Sequence, residues 1–288
     1  MNGSARSRPA GHPPVVLTIA GSDPSGGAGI QADLKTFSAL GGYGCAVLTA
    51  LTAQNTTGVT GVLPIPGQFV SQQLDTLFTD VAIDAVKIGM IATADAGRAV
   101  AAALRTYRPP FVVLDPVMVA TSGDRLLAPD AEAVMREELL PLADLLTPNL
   151  DEAAVLLGQE RALDAETARQ QAISLGASGA ARVLVKGGHL RGDLAIDYLV
   201  DDDGSLSELA APRIATANTH GTGCTLSSAI AVLRPGASDW PTAIRAGKAY
   251  LTRALAAADE LVIGGTVESP KGYAGHGPVH HFAGIWQR

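Results

Sequence analysis

A strand, a glycine-rich turn and a helix follow one another near the start of the chain, and this succession constrains the fold most. Val15–Ala20 is a short apolar run rich in β-branched residues. It leads into the turn Gly21-Ser-Asp-Pro-Ser-Gly-Gly-Ala-Gly29, and residues 30–40 then show the apolar spacing of a helix. Such a unit is typical of the ligand-binding edge of an α/β sheet, although a tight turn that needs positive φ is an alternative interpretation.

Composition favours the same fold class. Hydrophobic residues make up 47% of the 288 residues and aromatic residues only 4%, which is usual for a largely parallel sheet covered by helices. We expect residues 15–288 to form a single α/β domain. Residues 1–14 hold Ser, Arg, Gly and Pro without an apolar core, so we predict a flexible N-terminal tail and not a signal peptide.

Charge and cysteine usage exclude some classes of partner. The net charge is −7 and no basic stripe is present, so nucleic acid is not an expected partner. No apolar run is long enough to cross a membrane, so a membrane is not an expected partner either. The two cysteines lie far apart without metal-ligand spacing, which predicts a reducing, cytoplasmic environment.

The segment Asn218-Thr-His-Gly-Thr-Gly-Cys224 is the second candidate site. It precedes an apolar run, residues 225–233, that reads as a helix. Glycines that turn the backbone sharply, together with the free amides of a first helical turn, make a hole for anions. Cys224 lies at its mouth, where we expect a thiolate to be favoured. The alternative is an ordinary helix start with a small buried cysteine.

Polar residues follow several of the predicted strands. Asp115 ends a strand at residues 111–114, and Lys186 follows Val183–Val185 in a glycine turn that suits a phosphate contact. Asn149 and Glu152 share one face of a helix's first turn, where they can present a carboxylate to a metal or form a capping box. The alternative interpretation of Lys186 is an ordinary surface lysine without a ligand.

Two hairpins are expected. Residues 45–52 and 59–65 predict an antiparallel flap over the first site, with Gln54 near its turn. Gln54 offers both a donor and an acceptor, but hydrogen bonding within the flap explains it equally well. Residues 195–199 and 206–211 predict a second hairpin at the sheet edge. Asp33 falls in the first turn of the helix at 30–40, where the dipole alone favours a carboxylate.

Six ordered motifs together resemble one family. They are the segment from Thr18 to Thr36 around the glycine turn, Thr49-Ala-Leu-Thr-Ala-Gln-Asn55, Lys87-Ile-Gly-Met90, Thr147-Pro-Asn149, Lys186-Gly-Gly-His189 and residues 218–224. The chain resembles the hydroxymethylpyrimidine/phosphomethylpyrimidine kinases of thiamine biosynthesis, in the ribokinase-like superfamily. The resemblance runs from about residue 16 to residue 282 and leaves the N-terminal tail outside.

The resemblance implies a three-layer α/β/α fold with a mostly parallel sheet, an antiparallel edge hairpin and a small β-flap over the substrate site. It also implies ATP-dependent, Mg²⁺-assisted phosphorylation of 4-amino-5-hydroxymethyl-2-methylpyrimidine and then of its monophosphate, by a homodimer. Sugar kinases of this fold carry Asp as the catalytic base where this chain has Cys224, which is typical of the pyrimidine kinases.

The resemblance also implies roles for single residues. The pyrimidine would be held by Asp33 and Gln54 in a pocket shaped by Gly21, Met90 and Val117. The nucleotide phosphates would lie near Lys186, Thr219 and Asn149, and Mg²⁺ near Asp115 and Glu152. The transferred phosphoryl group would meet the amides of Gly221, Thr222, Gly223 and Cys224, and Cys224 would take the proton of the substrate hydroxyl.

Three other functions remain open at this point. Pyridoxal kinase is the nearest, because pyridoxine also carries a hydroxymethyl group on an aromatic nitrogen ring. A non-catalytic small-molecule binding protein would not need Asp115, Lys186 and Cys224 together. A nicotinamide oxidoreductase lacks its glycine fingerprint here.

Overall fold

A mostly parallel sheet forms the centre of the molecule. The computed structural model describes residues 11–118, 129–264 and 276–286. Within these ranges the strands are β1 Val15–Ala20, β2 Tyr43–Leu48, β3 Ala50–Asn55, β4 Gly58–Pro64, β5 Ala85–Ile88, β6 Val112–Leu114, β7 Leu145–Leu146, β8 Val183–Val185, β9 Leu194–Val200 and β10 Leu206–Pro212. The helices are α1 Gly29–Ala39, α2 Gly67–Phe78, α3 Ala94–Tyr107, α4 Pro129–Val134, α5 Leu150–Leu157, α6 Ala165–Gly176, α7 Thr222–Leu233 and α8 Trp240–Ala256.

The order of strands in the main sheet is β10-β9-β8-β7-β6-β5-β1-β2. Strands β1, β2 and β5 to β8 are parallel, whereas β9 and β10 form the predicted antiparallel hairpin at one edge. The chain moves from β1 to β2 on one side and then to β5 on the other. The carboxyl ends of β1 and β5 therefore flank the point where ligands bind in open α/β sheets.

Helices cover both faces of the sheet. Successive side chains of a strand point to opposite faces. In β1, Leu17 and Ile19 join the core under α2 to α6, while Val16 joins the core under α1, α7 and α8. The predicted three-layer α/β/α architecture is confirmed.

A separate two-stranded sheet, β3 paired antiparallel with β4, forms the predicted flap. The single strand expected at residues 45–52 is wrong, because the chain leaves the main sheet at Thr49. The Thr49 amide donates to the Ala20 carbonyl at 3.0 Å, and the Thr49 carbonyl accepts from Ile65 at 2.9 Å. Residues beyond Thr49 therefore pair with β4 and not with β1.

Several element boundaries differ from the predicted ones for local reasons. The helix expected at 129–139 ends its α-helical part at Val134 and continues as a π-helical turn, Met135–Leu139. The strand expected at 142–146 is shortened, because Leu140–Leu142, with Pro141, forms a 3₁₀ turn before it. Residues 1–10 of the expected N-terminal tail lie outside the described residues. Of the helices in the described ranges, none is both long and apolar enough to span a membrane.

Candidate active site

The carboxyl edge of the parallel strands brings most of the predicted site residues together. Gly21 follows β1, Met90 lies just beyond β5, and Asp115 follows β6 directly. Asn149 follows β7, and Lys186 follows β8. Asn149 and Lys186 are also joined by a parallel β-bridge. The two glycine-rich segments of the sequence therefore share one edge with the acidic and basic candidates.

Helix α7 begins at Thr222, three residues earlier than predicted, because Gly221 adopts a left-handed conformation. Gly221 has φ +77°, and a Cβ placed there would lie 1.7 Å from the carbonyl oxygen of Gly27. No side chain caps this helix, and the amides of Gly223 and Cys224 make no hydrogen bond to another of the described residues. The Thr219 carbonyl accepts from the amide and hydroxyl of Thr222. The start of α7 thus offers backbone donors of the kind that bind anions.

Lys186 and Asp115 form an ion pair beneath this helix start. The Lys186 Nζ is 2.8 Å from Asp115 Oδ1, and the hydroxyls of Thr147 and Ser227 donate to the same carboxylate at 3.2 and 3.1 Å. A Cβ placed at Gly223 would lie 3.1 Å from the Lys186 Nζ, so any other residue here would have to displace the end of the lysine side chain by a few tenths of an ångström. Lys186 keeps 14% of its side chain exposed, and it therefore presents a charge toward solvent.

The charges of this pair are mutually stabilised. Burial opposes ionisation of both groups, but for Asp115 the Lys186 and Lys87 ammonium groups, together with the hydrogen bonds from Lys186 and Ser227, outweigh burial and lower its pKa. Burial likewise opposes the charge of Lys186, yet Asp115 and Glu152 raise its pKa above the ordinary value. Both groups are therefore charged at neutral pH.

Asn149 and Glu152 form the capping box that the sequence indicated. The Asn149 side chain accepts from the Glu152 amide at 2.9 Å, and the Glu152 carboxylate accepts from the Asn149 amide at 2.7 Å. Burial raises the pKa of Glu152 to about 7, although Lys186, 3.9 Å away, favours the charged form. Glu152 thus titrates near neutral pH at the side of Lys186.

Asp115 and Glu152 do not form a complete metal cage. Among the described residues, no group of three or more His, Cys, Asp or Glu side chains is arranged to hold a metal ion. Asp115 and Glu152 supply two carboxylates, and both already accept hydrogen bonds from the protein.

Asp33 occupies a different environment from the one expected of a substrate ligand. It is fully buried, both of its oxygens lie 2.9 Å from the Lys87 Nζ, and the hydroxyls of Thr18 and Ser228 donate to it at 2.6 Å. Such a carboxylate has no oxygen directed to a ligand. This placement argues against a direct contact between Asp33 and the pyrimidine.

Lys87 is the partner that the sequence reading missed. It lies in β5 among Ala85, Val86 and Ile88, and it is fully buried. A lysine in an otherwise apolar central strand is almost never buried without a partner. That pattern is the signal that points to a buried acid opposite Lys87.

The thiol of Cys224 is less acidic than predicted. Cys224 is partly buried at the start of α7, as expected. Burial raises its pKa to about 11, and the Asp33 and Asp115 carboxylates act in the same direction. Lys87 and the Gly29 amide favour the thiolate but do not outweigh them. The prediction of a favoured thiolate is therefore wrong for the protein without ligands, because burial exceeds the effect of the helix end.

The expected pocket wall forms a small apolar cluster. Ala50, Met90 and Ala92 are buried together, and Val117 packs against them. A Cβ placed at Gly21 would lie 2.3 Å from the Met90 Cε, so Gly21 makes room for this methionine. The structure thus brings together the three residues that were expected to shape a substrate pocket.

Gln54 lies on the flap next to the first glycine-rich turn. The Thr52 hydroxyl is 3.2 Å from the Gln54 Oε1 and also donates to the Ser22 carbonyl at 2.9 Å. The Ser22 amide in turn donates to Ala50. Gln54 is partly exposed, so the flap leaves part of this side chain open.

A second pair missed in the sequence joins the two glycine-rich segments. His220 Nε2 lies 2.7 Å from Asp23 Oδ2, and the same carboxylate accepts from the amides of Ser25 and Ala28. Burial disfavours the charge of Asp23, but these hydrogen bonds lower its pKa to about 2. The turn after β1 and the loop before α7 are therefore held together by a fixed negative charge.

Comparison with known proteins shows which family shares this sequence. The sequence model of the family described as Phosphomethylpyrimidine kinase matches residues 23–271. A protein of Escherichia coli (strain K12) named hydroxymethylpyrimidine/phosphomethylpyrimidine kinase is 53% identical over 270 residues, covering 94% of this chain and 98% of that protein.

Two solved structures extend the likeness to three dimensions. Phosphomethylpyrimidine kinase from Clostridium difficile 630 superposes with a TM-score of 0.74 at 39% identity, covering 84% of this chain and 99% of that one. Pyridoxal kinase from Staphylococcus aureus in complex with ADP superposes with a TM-score of 0.82 at 32% identity, covering 96% of each chain.

Proposed function

The chain belongs to the phosphomethylpyrimidine kinase family, and we propose that it phosphorylates 4-amino-5-hydroxymethyl-2-methylpyrimidine and then the resulting monophosphate, with ATP as the donor. This makes it a phosphotransferase of thiamine biosynthesis. The observation that carries the proposal is the 53% identity to the Escherichia coli kinase over almost the whole of both chains. The geometry at the sheet edge supports it, since a buried cation and free helix amides meet beside an apolar pocket.

The nucleotide phosphates bind at the start of α7 in this proposal. The amides of Gly221, Gly223 and Cys224 receive the charge that develops on the transferred phosphoryl group. The Thr222 amide joins them by exchanging its 3.3 Å hydrogen bond to the Thr219 carbonyl for one to the phosphoryl group. Lys186, close beneath Gly223, supplies a permanent positive charge there. Thr219 and Asn149 flank the same edge and are proposed to contact the phosphates.

The acidic residues of this edge suit Mg²⁺ held through water. Asp115 and Glu152 already accept hydrogen bonds from Lys186 and Asn149, so neither is free to enclose a metal. Mg²⁺ sheds its water reluctantly and is commonly bound by one or two carboxylates together with substrate phosphates. When bound, the ion offsets the negative charge of the phosphates.

The pyrimidine lies on the other side of α7, against Gly21, Met90 and Val117. These residues form the apolar wall of a site for a flat ring. Gln54 on the flap offers an amide donor and acceptor that match the aminopyrimidine edge. Asp33 acts indirectly, because both of its oxygens are engaged by Lys87.

Cys224 accepts the proton of the substrate hydroxyl as the new O–P bond forms. An alkyl alcohol is a much weaker acid than a thiol, so proton transfer accompanies bond formation. In the second phosphorylation a phosphate oxygen is already the nucleophile and needs little help from a base. Because the thiol has a pKa of about 11, only a small fraction of the protein carries the thiolate at neutral pH.

Pyridoxal phosphorylation is the second candidate, because the pyridoxal kinase of Staphylococcus aureus superposes over almost the whole chain. The test is ADP release by the purified protein with Mg·ATP and three acceptors: the hydroxymethylpyrimidine, its monophosphate and pyridoxal. We expect turnover with the first two at rates well above that with pyridoxal. Turnover mainly with pyridoxal would contradict the thiamine-pathway assignment while leaving the site geometry in use.

We also propose that the protein is a cytoplasmic homodimer. Large apolar side chains are exposed on the edge strand β2, on the flap and in the first turn of α2: Tyr43, Leu51, Leu63 and Phe69. Leu51 and Leu63 are direct cross-strand partners, so they share one face of the flap. Such a patch is typical of a protein interface. Light scattering after size exclusion tests this, and Leu63→Asp should convert the dimer to a monomer if this face is the interface.

A further inference from the structure

Lys87 is a buried charge that the proposed reaction leaves without a role. Its side chain is fully enclosed, and its Nζ lies 2.9 Å from both oxygens of Asp33. An enclosed lysine without an acid would lose its proton. Burial opposes the charge, but the charges of Asp33, Cys224 and Asp115 and the hydrogen bond to Asp33 together outweigh burial and raise the pKa of Lys87 above its ordinary value. Lys87 is therefore a permanent cation in the centre of the protein.

This ion pair is attached to the helix that carries Cys224. The Ser228 hydroxyl on α7 donates to Asp33 Oδ1 at 2.6 Å, and Thr18 on β1 donates to Oδ2 at 2.6 Å. Ser228 lies four residues after Cys224, which places both on the same face of α7. The pair of Lys87 and Asp33 thus fixes the face of the helix from which the thiol projects.

Charged groups act on the Cys224 sulfur from each surrounding element. Lys87 on β5 favours the thiolate, as does the Gly29 amide at the start of α1. Asp33 on α1 and Asp115 after β6 oppose it. The effect is mutual, because Cys224 favours the charged forms of Lys87 and of Lys186 after β8. Of the two cations, only Lys87 is sealed from solvent, so it is the one that ligands cannot screen.

We propose that Lys87 is a positioning residue for phosphoryl transfer, holding a permanent positive charge beside Cys224 so that its sulfur can accept the substrate's proton. This inference rests on the proposed function. In the step concerned, the substrate oxygen forms a bond to the terminal phosphorus of ATP, the bond from that phosphorus to ADP breaks, and the hydroxyl proton passes to the thiolate. Lys87 keeps its own proton throughout and compensates the thiolate before the transfer.

The test measures the reactivity of the thiol without using the kinase reaction. In a Cys45→Ala background Cys224 is the only cysteine of the chain, and its alkylation by iodoacetamide at pH 8.5 reports the thiolate population. Lys87→Met should slow alkylation about tenfold, equivalent to one pKa unit. Lys87→Arg, which retains the positive charge, should keep the original alkylation rate.

Thr18→Val is the matched control. It removes a hydrogen bond to the same carboxylate without changing any charge, so the alkylation rate should stay the same. A purely structural role for the pair predicts that Lys87→Arg, which changes the shape of the enclosed side chain, alters the alkylation rate as much as Lys87→Met does, and that result would overturn the inference. Equal rates in all variants would do so as well.

Two further measurements keep the outcome decisive. If Lys87→Met does not fold, Lys87→Gln, which removes the charge but can still donate a hydrogen bond to Asp33, should slow alkylation by a similar factor. For the folded variants, Lys87→Met should lower kcat for the first phosphorylation and leave the KM for ATP unchanged. A protein that fails to phosphorylate the pyrimidine contradicts the proposed function, whereas an active kinase whose alkylation rates ignore Lys87 contradicts only this inference.

Discussion

Two lysine–aspartate pairs lie under the start of α7, and they are built alike. Lys87 with Asp33 and Lys186 with Asp115 each join a strand to a buried carboxylate. Each carboxylate also accepts from a threonine and from a serine of α7, Thr18 and Ser228 in the first pair and Thr147 and Ser227 in the second.

The pairs differ in their access to solvent. Neither side chain of the Lys87 pair is exposed, whereas Lys186 keeps 14% of its surface open beside Gly223. A sealed pair holds its neighbours and sets the local charge, but it cannot contact a ligand. An open pair of the same design can present its cation to phosphate. An exposure of 14% of one lysine side chain thus separates a supporting role from a binding role.

We expect the largest effect when the cation of the open pair, Lys186, is removed. Lys186→Met should lower kcat/KM for ATP by about 10³-fold, because a fixed charge facing the transferred phosphate is lost. Initial rates at varied ATP concentration measure this. Arg105→Met, at an exposed cation in the last turn of α3 and therefore toward the opposite edge of the sheet, is the control and should change nothing. A loss of less than about tenfold would place the phosphates away from Lys186.

The next effect compares the stabilities of the two pairs. Lys87→Met should lower the free energy of unfolding by about 3–5 kcal/mol, because it strands a buried carboxylate. Lys186→Met should cost only about 1–2 kcal/mol, because the buried Asp115 lies against a partly exposed side chain, beside which water can enter once the lysine is removed. Urea denaturation of both variants gives the two values. Equal losses of unfolding free energy in the two variants would show that the solvent exposure of a pair does not affect its contribution to stability.

Both pairs act electrostatically on the Cys224 thiol, and removing the thiol tests whether they influence proton transfer. Cys224→Ala should slow the first phosphorylation by about 10²-fold and the second far less. Because the pKa of the thiol is raised to about 11, the base form grows as pH rises. The first step should therefore accelerate by about tenfold per unit between pH 7 and 9 in the native protein and not in the variant. Separate assays of the two steps measure this, and equal losses in both would remove Cys224 from proton transfer.

We expect the smallest effect from a substitution on the flap, at Gln54, which belongs to neither pair. Gln54→Leu should raise the KM for the pyrimidine by about tenfold and leave the KM for ATP unchanged, since one hydrogen-bonding side chain is lost on the flap. Steady-state kinetics with each substrate varied in turn gives both constants. Thr60→Val, on the neighbouring strand of the same flap, is the control. A change confined to ATP would contradict the placement of the pyrimidine near Gln54.

The sequence predicted the features that are encoded locally. Val15–Ala20 was recognisable as β1 from its β-branched residues, and the spacing of Asn149 and Glu152 predicted a capping box. The edge of the sheet at which Asp115 and Lys186 meet followed from strands that run in parallel. Each of these signals lies within a few residues of the feature that it predicts.

What escaped prediction depends on residues that are distant in sequence. Lys87 is separated by 54 residues from Asp33, and a local pattern cannot show that they pair. The prediction of an acidic Cys224 thiol was wrong for the same reason. The helix end is visible in the sequence, whereas the burial of the thiol and the opposing carboxylates are not. The division between β2 and β3 was missed because the pairing partner of β3 decides it.

The link between Asp23 and His220 has a consequence for how the protein is made. These residues are 197 positions apart, and the amide of His220 also donates to the carbonyl of Gly277. Chains emerge from the ribosome beginning at the N-terminus. The first glycine-rich turn is thus synthesised early but lacks its partner until almost the entire polypeptide has been translated. A nascent chain has no complete phosphate site to offer the abundant nucleotides of the cell, and ligand binding can contribute to folding only after translation is nearly finished.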